Sequence, residues 1–351
     1  MSMSGWDWLS IVRDEADTVV TGGHGGRVLK YPEAVREALS QALAADPSVY
    51  VMGQGVDDPD GMFGCTRDLH VDFGGERVFD TPLSEDALMG VATGSALTGM
   101  RPVYMHNRPD FLLLTLDQLV NHASKWRYMF GGRHSVPMVV WAAIGRGWGS
   151  GAQHSQAPQA IFAHVPGLKV VMPSTAYDAK GLLLAAIADQ DPIVIIEHRW
   201  AMRHASEVPE EMYFVPIGKG VVRREGTDVT IAGTSHALLE AQRAAEELAG
   251  EGISCEVVDL RTVRPLDEEL LLNSVAKTGR LVVVDTGWKT GGITAEVAAV
   301  VAEKGADLLK ANVVRLGAPD CPTPAGYTLE AAFYLDKDKV ARAVRDLLAR
   351  A

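Results

Sequence analysis

Cysteine is scarce in these 351 residues: Cys65, Cys255 and Cys321 stand far apart and form no CxxC pair. That spacing offers neither a zinc site nor an iron-sulfur cluster, and it fits a reducing, cytoplasmic setting. Basic charge is short as well. With 33 Lys and Arg against 45 Asp and Glu, the net charge is -12 and no basic stripe stands out, so nucleic acid is not an expected partner. No apolar run approaches the roughly 18 residues that span a bilayer, and no membrane segment is expected. Residues 1–27 mix acids and glycines where a secretion signal needs basic residues and then an unbroken apolar core; they read as an N-terminal arm. Walker loops, GxSxG elbows and HExxH helices are missing too. The acid-rich DDPDGMFG at 57–64 lacks the spacing of a calcium loop and reads as a turn.

What is present is alternation. From Leu29 onward, helical spacing such as Val35, Leu39, Ala42 and Leu43 is followed by short apolar runs: VYVMG, RPVYM, PMVVWAAIG, LKVVMPS and IVIIEH. Runs that are apolar on both faces belong to parallel strands covered on both sides, so residues 28–199 predict an α/β domain. FLLLTLDQLVNHASKWRYMF reads as its longest helix, with an apolar stripe wide enough for a subunit interface. Residues 200–215 turn charged and irregular, with Pro209 inside and Pro216 directly after, and read as a linker. DVTIAG, ISCEVVDL, RLVVVD and ANVVRLG then alternate with helical patterns over 216–351, a second parallel-sheet domain.

Three stretches offer chemistry. GRGWGSG at 145–151 looks like a dinucleotide loop, but Pro158 falls where the following helix should be established; a mobile glycine loop is expected instead. It delivers Gln153-His154-Ser155-Gln156, where an imidazole could exchange protons in a cleft. MHNRPDF places His106, Asn107 and Arg108 just after a predicted strand, where parallel sheets present binding residues; a plain solvated loop is equally compatible. In TPLSEDALMG, Ser84 reads as a helix cap and Glu85 as the first turn. Local residues leave open whether Glu85 merely complements the helix dipole or performs chemistry.

Taken together, ERVFDTPLSE, DQLVNHASKWRYMFGG, GAQHSQAPQAIFAHVPGLKVVMPSTAYDAKGLLLAAI and VVDLRTVRPLD strongly resemble the beta subunits of the thiamine-dependent 2-oxo acid dehydrogenases, in order from about residue 29 to 335. The resemblance implies a transketolase-like pyrimidine-binding domain followed by a transketolase-like C-terminal domain. It makes Glu85 the acid that shares a proton with a ring nitrogen of the cofactor's aminopyrimidine, so that the ring can deprotonate the thiazolium carbon. It makes Phe111 a stacking partner of the pyrimidine and His154 a proton donor and acceptor.

It also implies what is borrowed. The diphosphate and magnesium signature of thiamine enzymes begins with GDG, and no GDG occurs here. Thiamine diphosphate would thus be shared with an alpha-type subunit that holds the magnesium, in an alpha2beta2 heterotetramer, with no metal ligand on this chain and a lipoyl or other carrier protein as acceptor. A structural potassium ion sits near Ala186, Asp189 and Asp191 in some relatives, a feature left open here.

Two departures stand out. Relatives carry a glutamate, part of a proton relay between active sites, where this chain has Gln54. His106, Asn107 and Arg108 replace a more apolar run, which favours a hydroxylated or phosphorylated substrate and keeps a split transketolase, moving a two-carbon ketol unit, as the alternative activity.

Overall fold

The computed structural model describes residues 27–350; apart from Arg27, the expected N-terminal arm lies outside them. In chain order the strands are β1 (Arg27–Lys30), β2 (Val49–Gly53), β3 (Val78–Phe79), β4 (Arg101–His106), β5 (Val139–Ile144), β6 (Lys169–Val171), β7 (Ile193–His198), β8 (Ala205–Val208), β9 (Val221–Arg224), β10 (Val229–Gly233), β11 (Cys255–Asp259), β12 (Thr262–Arg264), β13 (Leu281–Trp288) and β14 (Val314–Ala318).

They form two α/β domains. The first sheet is ordered β12-β6-β7-β5-β4-β2-β3 and is parallel from β6 to β3; the second is ordered β14-β13-β10-β11-β9 and is parallel from β14 to β11. The continuous apolar runs form strands because helices cover both faces. On one face of the first sheet, Val51, Val103, Trp141 and Ile195 pack under the helices Tyr31–Ala45 and Ala176–Ala188. On the other, Met52, Tyr104, Val140 and Ile196 meet the helix Glu85–Leu97 and the run that follows β4.

Three expectations need correcting. Residues 200–215 are not a bare linker: β8 pairs antiparallel with β1, from Arg27↔Val208 to Lys30↔Ala205, because Ala205, Ser206 and Val208 are buried among the charges. The long helix over 111–130 is a chain of short segments, Pro109–Leu112, Leu113–Thr115, a π-helical stretch Asp117–Ala123, and Ser124–Met129. The wider π turn shifts which residues face inward, a device that recurs near functional sites. Leu112, Thr115, Leu119 and Ala123 point into the core, while Leu114, Tyr128, Met129 and Phe130 stay exposed. Finally, VVDLRTVRPLD does not lie wholly in the second domain, although its first residues end β11 there. Its strand β12 crosses back and pairs antiparallel with β6, extending the first sheet.

The junction so made is sealed by charge. Arg223 reaches both Asp178, at the closest contact of the group, and Asp259 (2.9 Å), and Arg261 pairs with Asp178 at 2.7 Å. Burial opposes ionisation of Asp178, but the Arg223 and Arg261 guanidiniums hold its carboxyl below the usual range. No helix among the described residues is long and apolar enough to cross a membrane.

Candidate active site

Parallel sheets present their loops at the carboxyl ends of their strands. Here the adjacent strands β7, β5, β4 and β2 deliver Arg199, Gly145, Asn107 with Arg108, and Gln54 to one edge. Gly53 makes the exit of β2 possible: its φ is +151°, and a methyl there would lie 2.1 Å from the Met105 carbonyl oxygen.

Glu85 begins the helix Glu85–Leu97 as expected, although the Ser84 hydroxyl makes no capping bond. Its carboxylate is half-buried rather than enclosed, and it accepts a hydrogen bond from Gln54 Nε2 at 3.3 Å. The Gln54 carbonyl in turn accepts from Asn107 Nδ2 (3.4 Å), and the Asn107 carbonyl from Arg108 (2.7 Å). Gln54, which stands where relatives carry the relay glutamate, therefore bridges Glu85 to the strand-end loop.

His106 departs from the solvated-loop alternative. It is the last residue of β4, buried, with its ring 4.0 Å from that of Tyr104, and burial pushes its pKa down to about 3. It contributes a neutral imidazole, so the positive charge at this edge comes from Arg108 and Arg199. Burial and the nearby Glu85 push the Tyr104 phenol upward.

Phe111 and His154 meet edge to face, ring centroids 5.4 Å apart. Sequence reasoning named both without predicting that they touch. What holds them was missed: buried Asp110 accepts from the Gln156 backbone N–H (3.1 Å) and side chain (2.9 Å), tying the His154 loop to the turn that carries Phe111. Gln159 donates to both oxygens of Asp285 in the second domain (2.7 and 2.9 Å), a carboxyl that burial pushes up to about 6. A glutamine flanked by apolar residues carries no sequence signal for such distant carboxylates.

The glycine loop is no dinucleotide loop, since helix resumes only at Gln159. Gly147, Trp148, Gly149 and Gly151 all have φ near +70°, and the loop is anchored by a bond from the Gly149 N–H to Glu330 (3.3 Å). At its start, a methyl on Gly145 would lie 2.2 Å from the His154 carbonyl oxygen and 2.7 Å from Arg108 Nε, so glycine lets these two groups share one space. Around Asp189 and Asp191, Lys169 contacts both carboxylates (2.6 and 3.4 Å), and Arg101 donates to the Ile187 and Asp189 carbonyls.

Several buried polar atoms on the segments carrying Glu85 and Phe111 have no hydrogen-bond partner: the Thr81 hydroxyl, the Tyr104 hydroxyl, His106 Nε2 and Asp110 Oδ2. Such atoms are costly unless a ligand or water meets them, and a polar aromatic heterocycle fits the set. Among the described residues no group of three or more His, Cys, Asp or Glu side chains could hold a metal ion.

Comparison with known proteins agrees with this fold. Residues 27–204 match the transketolase pyrimidine binding domain and residues 218–340 the transketolase C-terminal domain. The 2-oxoisovalerate dehydrogenase subunit beta of Bacillus subtilis (strain 168) is 44% identical over 91% of this chain and 98% of its own length. The acetoin:2,6-dichlorophenolindophenol oxidoreductase subunit beta of the same organism is 40% identical over 92% of this chain and 98% of its own. A solved split gene transketolase, an inactive beta4 tetramer, superposes with a TM-score of 0.73 at 25% identity, covering 93% of this chain and 99% of that one. This chain therefore belongs to the family of beta subunits of the thiamine diphosphate-dependent 2-oxo acid dehydrogenases, built from a transketolase-type pyrimidine-binding domain and a transketolase C-terminal domain.

Proposed function

We propose that this chain supplies the pyrimidine-activating half of a thiamine diphosphate-dependent active site, which decarboxylates a 2-oxo acid and hands the acyl unit to a lipoyl or other carrier thiol. The observation that carries the reading is Glu85: a half-buried carboxylate at a helix start, hydrogen-bonded by Gln54 and close to the Tyr104 phenol, whose hydroxyl has no hydrogen-bond partner. When bound, the cofactor supplies a carbon nucleophile for the donor's carbonyl. Glu85 holds a proton against a ring nitrogen of the aminopyrimidine, and Gln54 orients its carboxylate. Phe111 would offer its ring as a stacking partner for the pyrimidine. His154, steadied by the Phe111 edge and by the Gln156–Asp110 bonds, gives and takes protons as the donor's carbonyl changes charge.

An alpha-type partner completes the site with the diphosphate and magnesium half. Support comes from the exposed apolar side chains Val91, Leu114, Tyr128 and Met129 on helical segments, and from Leu83 just before one of them. The arrangement we favour is an alpha2beta2 heterotetramer. A second reading, ketol transfer by a split transketolase, is favoured by Arg108, a guanidinium with no carboxylate in ion-pair distance among the described residues.

The test is Glu85→Gln in the complex reconstituted with its alpha-type partner. Turnover should fall at least about a thousandfold, together with solvent exchange of the cofactor's thiazolium proton. A variant that exchanges that proton at the wild-type rate overturns the assignment.

A further inference from the structure

Arg108 and Arg199 leave the loops after β4 and β7, the two strands that flank β5, at the same edge; burial and the Arg108 charge push Arg199 down to about 10, and burial also lowers Arg108, which the Asp110 carboxylate offsets only in part. Two neighbouring guanidiniums, both removed from bulk water, ordinarily have carboxylates beside them. Here neither forms an ion pair with any described residue. Arg108 donates to its neighbour's carbonyl, and its Nε is buried without a partner.

Aromatic rings take the place of acids. The Arg199 guanidinium lies 4.2 Å from the centre of the Phe63 ring and 4.0 Å from that of Trp148, and Arg108 lies 5.5 Å from Phe63. Stacking fixes the planes of the two cations without neutralising them. Both platforms come at a conformational cost. Phe63 (φ +53°) and Trp148 (φ +69°) occupy the left-handed region that side chains avoid, on two loops far apart in sequence. Strain of this kind persists where the surrounding structure imposes it, and it concentrates around ligand sites. The position is next to the chemistry: Arg108 Nε and the His154 carbonyl crowd the same face of Gly145.

Resting on the thiamine reading above, we propose that Arg108 and Arg199 form a pocket for a terminal oxyanion on the donor substrate, a phosphate or a carboxylate remote from the reacting ketone. A planar guanidinium presents paired donors that match such a group, and two of them hold a dianion better than a neutral alkyl end. The donor class is thereby narrowed from simple alkyl 2-oxo acids to a ketose phosphate or a 2-oxo diacid. Asn107, held by Gln54, sets the angle at which Arg108 leaves the strand.

Two measurements test this. Inorganic phosphate titrated into the purified chain should quench Trp148 emission saturably, read as the difference from Trp148→Phe, and Arg108→Met/Arg199→Met should abolish the saturation while its melting curve stays that of a folded protein. In the reconstituted complex, kcat/KM for xylulose 5-phosphate, 2-oxoglutarate and pyruvate should be compared. Each single Arg→Met variant should lower the ratio of the preferred anionic donor to pyruvate by about 10- to 100-fold, mainly through KM, as loss of a charge-assisted bond predicts. Preference for the first donor assigns a phosphate, preference for the second a carboxylate. Wild-type preference for pyruvate, or an unchanged ratio with unchanged phosphate binding in the double variant, overturns the pocket. Glu85→Gln separates the two readings: if it stays active while phosphate still saturates the arginines, the thiamine assignment fails and the pocket stands.

Discussion

Two arginine pairs sit in this molecule in opposite circumstances. At the domain junction, Arg223 and Arg261 are buried against Asp178 and Asp259, and each guanidinium has a carboxylate. At the sheet edge, Arg108 and Arg199 are partly buried against Phe63 and Trp148, with no acid paired to either among the described residues. The first set satisfies itself and so closes two domains together. The second leaves its donors unspent, which is the condition for receiving something from outside. A similar contrast separates Asp178, ligated from both sides, from Asp110, which keeps one oxygen without a partner near His154.

The strongest way to break this contrast is to remove one acid from the junction. Asp178→Ala strands the buried Arg261 guanidinium and leaves Arg223 with Asp259 alone, and unfolding in denaturant should show a loss of about 3–5 kcal/mol. A loss under ~1 kcal/mol would mean that water already reaches the cluster.

Next comes Glu197, the second-to-last residue of β7, fully buried beside Tyr31 and Trp141 and pushed up to about 8 by burial. Its folded pKa is raised, so the folded state keeps a proton that the unfolded chain releases. Stability is full at low pH and declines as pH rises from the ordinary carboxyl range through about 8. Relative to Glu197→Gln, the wild type should lose on the order of a few kcal/mol between pH 5 and pH 8. Parallel stability profiles would refute this.

The smallest effect is expected at the sheet edge. Arg108→Met and Arg199→Met should each change unfolding free energy by less than about 1 kcal/mol, since no ion pair is broken. A loss as large as that of Asp178→Ala would make these arginines structural after all and would erase the contrast.

Much of this was legible from residue patterns. Apolar runs with both faces covered can only be inner parallel strands, so β2, β4, β5, β7, β10, β11 and β13 were readable from composition alone. Glu85, Phe111 and His154 were readable because they lie in short motifs. Less legible was anything that depends on where distant segments meet. The charged text over 200–215 hid β8, because a strand of four residues with one polar-out position looks like a loop. A π-helical turn over Asp117–Ala123 leaves no mark in a pattern read at the ordinary helical period.

Local sequence dictated the strands, the helices and the acid at the mouth of Glu85–Leu97, since propensity and periodicity act over a few neighbouring residues. Folding in three dimensions settled which charges are satisfied: Arg199 lies 91 residues from Arg108, and Asp285 lies 126 from Gln159. Coulomb energy and hydrogen-bond geometry depend on separation in space. The strand order β7-β5-β4-β2, which brings those residues to one edge, is written in no single stretch of the chain.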